Sequence, residues 1–183
     1  MHVLIAAIVE ANDKIDALNQ GKKVFDDLVD RSDFDYYATF DDPSAGQRWS
    51  RLPYAARLTS KEGKDLLEFI LDATKNELFE KLKTIRKLLR DYDDEDIWYG
   101  DDIDCLPADK KVYRILKGGK RIDFENSVRF FRYCCYCIGA YSGPYVFLYD
   151  EDGDGIRDCT ELKHFLEKKG EQKLWIVPAD AHF

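Results

Sequence analysis

The sequence lacks any apolar run long enough to cross a membrane. No stretch approaches 18 consecutive apolar residues, the length that a membrane-spanning helix needs. The apolar first residues follow no basic segment and run directly into acidic residues, so they do not predict a signal peptide. We therefore expect a soluble chain in which nothing spans a membrane.

The sequence also lacks a disulfide framework. Its five cysteines are odd in number, and three of them crowd into residues 134–137. This usage favours a reducing compartment, and we expect a cytoplasmic location. A Cys-x-x-Cys pair could bind zinc, but no second pair accompanies it, so we interpret these cysteines as buried helix residues.

Basic residues are outnumbered. The chain has 28 Lys and Arg against 36 Asp and Glu, which gives a net charge of −8 at pH 7. Because phosphate neutralisation needs Lys and Arg, this balance disfavours nucleic acid as a partner.

The chain has the composition of a globular protein. Hydrophobic residues make up 45% of the 183 residues and aromatic residues 14%, enough to bury a core. We predict a single domain, residues 1–183.

Strand and helix patterns alternate at the two ends of the chain. Strands are predicted at residues 2–9, 34–40, 145–149 and 174–177, with a helix after the first and after the third. The pattern predicts an α+β, ferredoxin-like split βαβ sheet. We expect the first strand to lie parallel to the third and antiparallel to the fourth. A three-layer sheet with helices on both sides is the alternative.

A large, mostly helical insertion, approximately residues 59–142, separates the two halves. Apolar residues at intervals of three and four from Leu67 to Leu89 predict one long helix, or two helices broken near Thr74. Residues 111–124 are typical of a hairpin, and a further helix follows them.

Residues 150–161 carry carboxylates at positions 1, 3, 5, 9 and 12, with Gly at position 6. The segment resembles the loops of EF-hands and also the calcium repeats of thrombospondin type 3 modules. It departs from the EF-hand pattern at position 8, which is Arg157, and a strand precedes it. The resemblance implies a Ca²⁺ (or Mg²⁺) site. Its ligands would be Asp150, Asp152, Asp154, Ile156, Asp158 and Glu161.

Two other interpretations of these carboxylates remain. The loop is also typical of an acidic turn followed by a helix capping box at Asp158 and Glu161. Alternatively, Glu10 with Asp150 and Asp152 resembles the Toprim arrangement, which implies a Mg²⁺-dependent phosphodiester enzyme. Ala11 replaces the Gly usual in that arrangement.

Two stretches segregate charge around aromatic residues. Residues 43–61 contain basic residues and no acid, and residues 91–104 contain eight acids and no base. Arg beside aromatic residues is typical of interface hot spots, and acids around aromatics suit a basic partner. The predicted partner-binding residues are Arg48, Trp49, Arg51, Tyr54 and Arg57.

The sequence favours a non-enzymatic binding or regulatory protein with a protein partner. The alternatives are the phosphodiester enzyme and an acidic nucleic-acid mimic acting through residues 91–104. The strands at residues 2–10 and 145–149 are apolar on both alternating faces, so both faces of the sheet should be covered. The inserted helices or the second subunit of a homo-oligomer could cover them. His2, Asp180 and His182 should meet if the terminal strands are antiparallel, and they could then hold a metal.

Overall fold

The computed structural model describes residues 2–42, 49, 52–99, 127–141 and 143–182, and the fold is α+β. The predicted hairpin at residues 111–124 lies outside the described residues. No helix in the described ranges is both long and apolar enough to span a membrane. The elements in chain order are β1 (His2–Glu10), α1 (Lys14–Asp30), β2 (Tyr36–Thr39), β3 (Ala56–Arg57), α2 (Lys61–Asp91), α3 (Asp94–Tyr99), α4 (Val128–Gly139), β4 (Leu148–Tyr149), α5 (Cys159–Lys169) and β5 (Leu174–His182).

The sheet has five strands with β1 and β5 at its centre. β1 pairs antiparallel with β5 along its whole length, from His2 opposite His182 to Glu10 opposite Leu174. On its other side β1 pairs in parallel with β4. Both predicted neighbours of the first strand are therefore confirmed.

A ferredoxin-like arrangement is not confirmed. β2 and β3 both pair antiparallel with the outer side of β5, so the path across the sheet is β2-β5-β1-β4. β1, α1 and β2 do form a split βαβ unit, because β5 lies between the parallel strands β1 and β2. The second half is different, since β4 and β5 run antiparallel with β1 between them.

The sheet differs from the predicted arrangement because β5 is longer than predicted. It continues to His182, five residues beyond its predicted end, and so offers hydrogen-bonding groups to β2. Pro178 lies in the gap between the residues that pair with β3 and those that pair with β2. A proline without an N–H is tolerated there because no partner strand needs its donor on that side.

Helices cover both faces of the sheet, as the apolar strands predicted. On one face Leu4, Ala6 and Ile8 of β1 join a buried cluster with residues of α2 and α5. On the opposite face α1 lies so close that a Cβ on Gly21 would meet the side chain of Val177. Residues 3–9 of β1 are accordingly all buried.

The described chain divides into two compact units. One comprises Met1–Asn76 with Ser142–Phe183 and contains the sheet, and the other is Glu77–Tyr141. α2 is one continuous helix through Thr74, so the predicted break does not occur. The single-domain interpretation with an insertion at about 59–142 stays a prediction.

Candidate functional site

The first half of the acidic loop is a turn closed by its own backbone. One carboxylate oxygen of Asp150 accepts hydrogen bonds from the N–H groups of Asp152 (3.0 Å) and Asp154 (2.9 Å). Ile156 is buried in the core, and its N–H donates to the Leu148 carbonyl at 2.7 Å. These contacts are those of a structured turn.

The second half of the loop starts α5. The Asp158 carboxylate accepts from the N–H groups of Thr160 (2.8 Å) and Glu161 (2.9 Å), so it is the N-cap. Glu161 reaches back to the backbone N–H of Arg157 at 2.8 Å and also pairs with its guanidinium group. The bond from that backbone N–H is the main cause that lowers the pKa of Glu161. The predicted capping box is therefore present, with its return bond one residue earlier than usual.

Cation binding at the loop stays a prediction. In the part of the chain that the structure describes, no group of three or more His, Cys, Asp or Glu side chains is arranged to hold a metal ion. The side chains of Asp150, Asp158 and Glu161 already accept hydrogen bonds within the loop. A cation would have to compete with these bonds or share the oxygens.

The parallel pairing of β1 and β4 brings Glu10 and Asp150 to the same edge of the sheet, as the phosphodiester interpretation requires. Lysines occupy this edge as well. Lys173 donates to Glu10 at 3.3 Å, and Lys169 pairs with Glu151. The bond to Glu151 is the main cause that raises the pKa of Lys169. Because Lys173 already pairs with Glu10 and Lys169 with Glu151, the structure gives the enzyme interpretation no support beyond the shared position.

The predicted Arg and aromatic set makes contacts within its own chain. Arg48 and Arg51 lie outside the described residues. Trp49 is half-buried against the core cluster. The Lys14 ammonium lies 4.6 Å from the centre of the Tyr54 ring, and the Arg57 guanidinium lies 5.2 Å from the Trp175 ring. Arg57 is exposed, but the described aromatic members are not exposed anchors.

The predicted meeting of His2, Asp180 and His182 is confirmed, whereas metal binding by these three residues stays a prediction, because no group of three or more such side chains in the described ranges is arranged to hold an ion. His2 and His182 are directly opposite each other in the β1–β5 pair, with ring centres 5.2 Å apart. Nδ1 of His2 lies 2.8 Å from a carboxylate oxygen of Asp180. Three residues from opposite ends of the chain therefore form one cluster.

Among its described residues, the unit Glu77–Tyr141 exposes the large aromatic side chains of Phe79, Trp98 and Tyr136, of which Trp98 and Tyr136 are the most exposed. Trp98 on α3 is 78% exposed and Tyr136 on α4 is 84% exposed. The Arg132 guanidinium donates to the carbonyls of Ile97 (2.6 Å) and Trp98 (3.0 Å), which holds α4 against the end of α3. Tyr136 follows Arg132 by four residues, so both side chains leave the same side of α4.

Sequence reasoning missed Tyr136 because it misplaced the buried side of α4. The sequence predicted that Cys134, Cys135 and Cys137 are all buried, whereas the structure buries Cys134 and Cys137 and exposes Cys135. Burial is the main cause that raises the pKa of the Cys134 thiol. The available signal was a Tyr four residues after an Arg. It could be used only if the buried side of the helix was assigned correctly.

A family model described as a domain of unknown function (DUF7995) matches the chain over residues 1–113 and 110–183. The chain belongs to the DUF7995 family. No curated protein and no solved structure matches it.

Two places in this DUF7995 chain combine accessibility with distinctive chemistry. One is the aromatic face of the helical unit, which we define as Trp98, Tyr136 and Arg132. The other is the histidine cluster at the end of the sheet. The first suits a macromolecular partner and the second suits a small ligand.

Proposed function

We propose that this chain is a non-enzymatic binding protein that docks a protein partner on the aromatic face. The main evidence is that Trp98 and Tyr136 are exposed on two helices that Arg132 joins by hydrogen bonds. Trp, Tyr and Arg are the residue types enriched in interface hot spots. A single exposed apolar residue needs no explanation, but a Trp and a Tyr on joined helices form a candidate anchor.

Charge around the aromatic face defines the partner's chemistry. Asp91, Asp93 and Asp94 are exposed beside Trp98 in the chain, and residues 91–104 carry eight acids without a base. Arg129 and Arg132 on α4 are also exposed but are outnumbered. The partner that complements this surface is a basic segment with apolar side chains that cover Trp98 and Tyr136.

The same proposal covers the remaining predictions about cellular context. A cytoplasmic location fits the described cysteines Cys134, Cys135, Cys137 and Cys159, which form no disulfide with one another. A Ca²⁺ or Mg²⁺ ion that orders residues 150–161 would act in the sheet-containing unit. Calorimetric titration of the chelated chain and of Asp152→Ala with each ion tests that part separately.

The first experiment uses a synthetic peptide of alternating Lys and Leu runs as the basic apolar probe. Binding is followed by the fluorescence of the three Trp residues, to which the exposed Trp98 should contribute a blue shift as its ring leaves water. We expect Trp98→Ala and Tyr136→Ala, measured by calorimetry, each to weaken binding at least tenfold, as hot-spot truncations do.

Matched controls separate this docking from general attraction to an acidic protein. Ile15→Ala removes an exposed apolar residue from the other unit and should leave binding unchanged. Glu10→Gln, which would abolish turnover in a phosphodiester enzyme, should also bind normally. Equal binding by wild type, Trp98→Ala and Tyr136→Ala would refute the proposed surface. Competition by duplex DNA for a DNA-binding partner would favour the nucleic-acid-mimic alternative.

A further inference from the structure

The end of the sheet where β1 starts and β5 ends carries three aromatic rings and two carboxylates. His2, His182 and Tyr36 lie side by side on β1, β5 and β2. The His182 and Tyr36 rings are stacked with centres 4.8 Å apart, and the His2 ring stands edge-on to His182. Pairing across the sheet therefore fixes the positions of both imidazoles.

Each imidazole faces a carboxylate through the same ring nitrogen. Nδ1 of His2 lies 2.8 Å from Asp180, and Nδ1 of His182 lies 3.1 Å from Asp35. A carboxylate beside Nδ1 favours the tautomer that carries its proton there and makes Nε2 the ligand nitrogen. This carboxylate–histidine arrangement is the usual second shell of metal-binding histidines.

Asp180 occupies an unusual position for a carboxylate. It is 2% exposed in a central strand, between Leu4 and Ala38 on the neighbouring strands. Burying a carboxylate costs free energy that an apolar residue at this position would not cost. The hydrogen bond to His2 offsets part of that cost.

The charge and donor type select the ligand. The two carboxylates beside the imidazoles favour a cation over an anion. Imidazole nitrogen suits Zn²⁺, Ni²⁺ and Cu²⁺, whereas Ca²⁺ and Mg²⁺ prefer oxygen. The side chains of His2 and His182 are 42% and 29% exposed, so an ion can reach them from solvent.

The spacing of the rings fits a shared ion. An imidazole nitrogen bound at about 2.0–2.1 Å places its ring centre about 3.2 Å from the metal. If both Nε2 atoms point at one ion, ring centres 5.2 Å apart subtend about 110° at it, close to the tetrahedral angle of zinc sites.

We propose that His2 and His182 bind one divalent transition-metal ion through Nε2, with Asp180 and Asp35 orienting the rings. Two protein nitrogens leave the other coordination positions to water or to an added ligand. Such an open site is weaker than a four-ligand structural site. It is separate from residues 150–161 and does not depend on the proposed docking function.

The test is calorimetric titration of the untagged, chelator-treated full chain with Ni²⁺, which favours nitrogen ligands. The chain has three histidines, so His164→Gln is a matched control on an exposed position of α5. We expect one ion per chain, at least tenfold weaker binding in His2→Gln and in His182→Gln, and unchanged binding in His164→Gln. Asp35→Asn, at an exposed position, should weaken binding about tenfold, as loss of a second-shell partner does.

A second readout does not depend on affinity. Zn²⁺ should shift the imidazole NMR resonances of His2 and His182 and leave those of His164 in place. Thermal melting of each variant shows that it is folded. Binding that survives both His2→Gln and His182→Gln would overturn the proposal, as would absence of Ni²⁺ binding or equal loss in His164→Gln.

Discussion

At the scale of single residues, the contact between α1 and the sheet depends on Gly21. A Cβ there would lie 2.6 Å from Cγ1 and 2.8 Å from Cβ of Val177, well inside van der Waals contact. Both residues belong to buried segments, so neither the helix nor the strand can move without disturbing the core. Glycine therefore sets how closely α1 approaches β5.

We predict that Gly21→Ala destabilises the sheet-containing unit. Overpacking costs about 1–3 kcal/mol, and better helix propensity returns at most about 1 kcal/mol. Urea unfolding followed by circular dichroism gives the change in the free energy of unfolding. Gly155→Ala is the control, because a Cβ there meets nothing within 4 Å. If Gly21→Ala left the free energy of unfolding unchanged, α1 and β5 would be able to move apart without cost, and the prediction would be wrong.

The histidine cluster shows what could be predicted at this scale and what could not. Its members were predicted to meet because antiparallel terminal strands bring His2 beside His182. The predicted strand nevertheless ended at Val177, since Pro178 and Asp180 both disfavour a strand interior. Pairing with β1 and β2 overrides that local preference. Neither Asp35 nor Tyr36 could be placed in the cluster without knowing where β2 lies.

At the scale of elements, two helices begin with the same arrangement. Asp13 caps α1, and Asp16 returns a bond to the N–H of Asn12. Asp158 caps α5, and Glu161 returns a bond to the N–H of Arg157. In both cases the bond from that backbone N–H is the main cause that lowers the pKa of the returning carboxylate.

The positions of the helices could be predicted, but some of their caps could not. Asn12 and Thr59 also have side chains that can cap a helix, but the structure uses their neighbours Asp13 and Ser60. Neighbouring residues of similar capping propensity cannot be separated locally. The choice at α1 comes from tertiary contacts, because Trp175 and Lys173 hydrogen-bond the backbone of Ala11 and fix where the chain leaves β1.

The capping role of Asp158 can be separated from a calcium-ligand role by two substitutions. Without divalent cations, Asp158→Ala should lower the free energy of unfolding by about 1 kcal/mol, because two N–H groups of α5 lose their acceptor. Asp158→Asn should be near neutral, since Asn caps about as well as Asp. Urea unfolding in a chelator measures both. Equal losses in the two variants would contradict the cap as the source of the effect.

At the scale of the whole molecule, chain order predicted the neighbours of β1 but not the complete sheet. β1 and β5 pair along nine residues, so their adjacency follows from two long apolar strands. β4 has only two residues, and the outer side of β5 is free to accept β2 and β3 in succession. The position of β2 depends on this difference in strand length, which the local pattern did not reveal.

Net charge acts over the whole molecule, and it should control how fast a basic partner arrives. The chain carries −8 at pH 7, and this field extends farther at low salt. The Debye length falls from about 30 Å at 0.01 M to about 8 Å at 0.15 M ionic strength. We predict that the association rate of the Lys/Leu peptide, measured by stopped-flow fluorescence, falls at least tenfold over this range.

The contacts made by the aromatic face should control the dissociation rate of the partner. Tyr136→Ala removes an anchor from the aromatic face without changing the net charge, so it should raise the dissociation rate and leave the association rate nearly unchanged. Salt and substitution would then affect different steps of one binding reaction. An association rate independent of salt would contradict steering by the acidic chain. A Tyr136→Ala variant that changed only the association rate would mean that the face acts before docking instead of holding the docked partner.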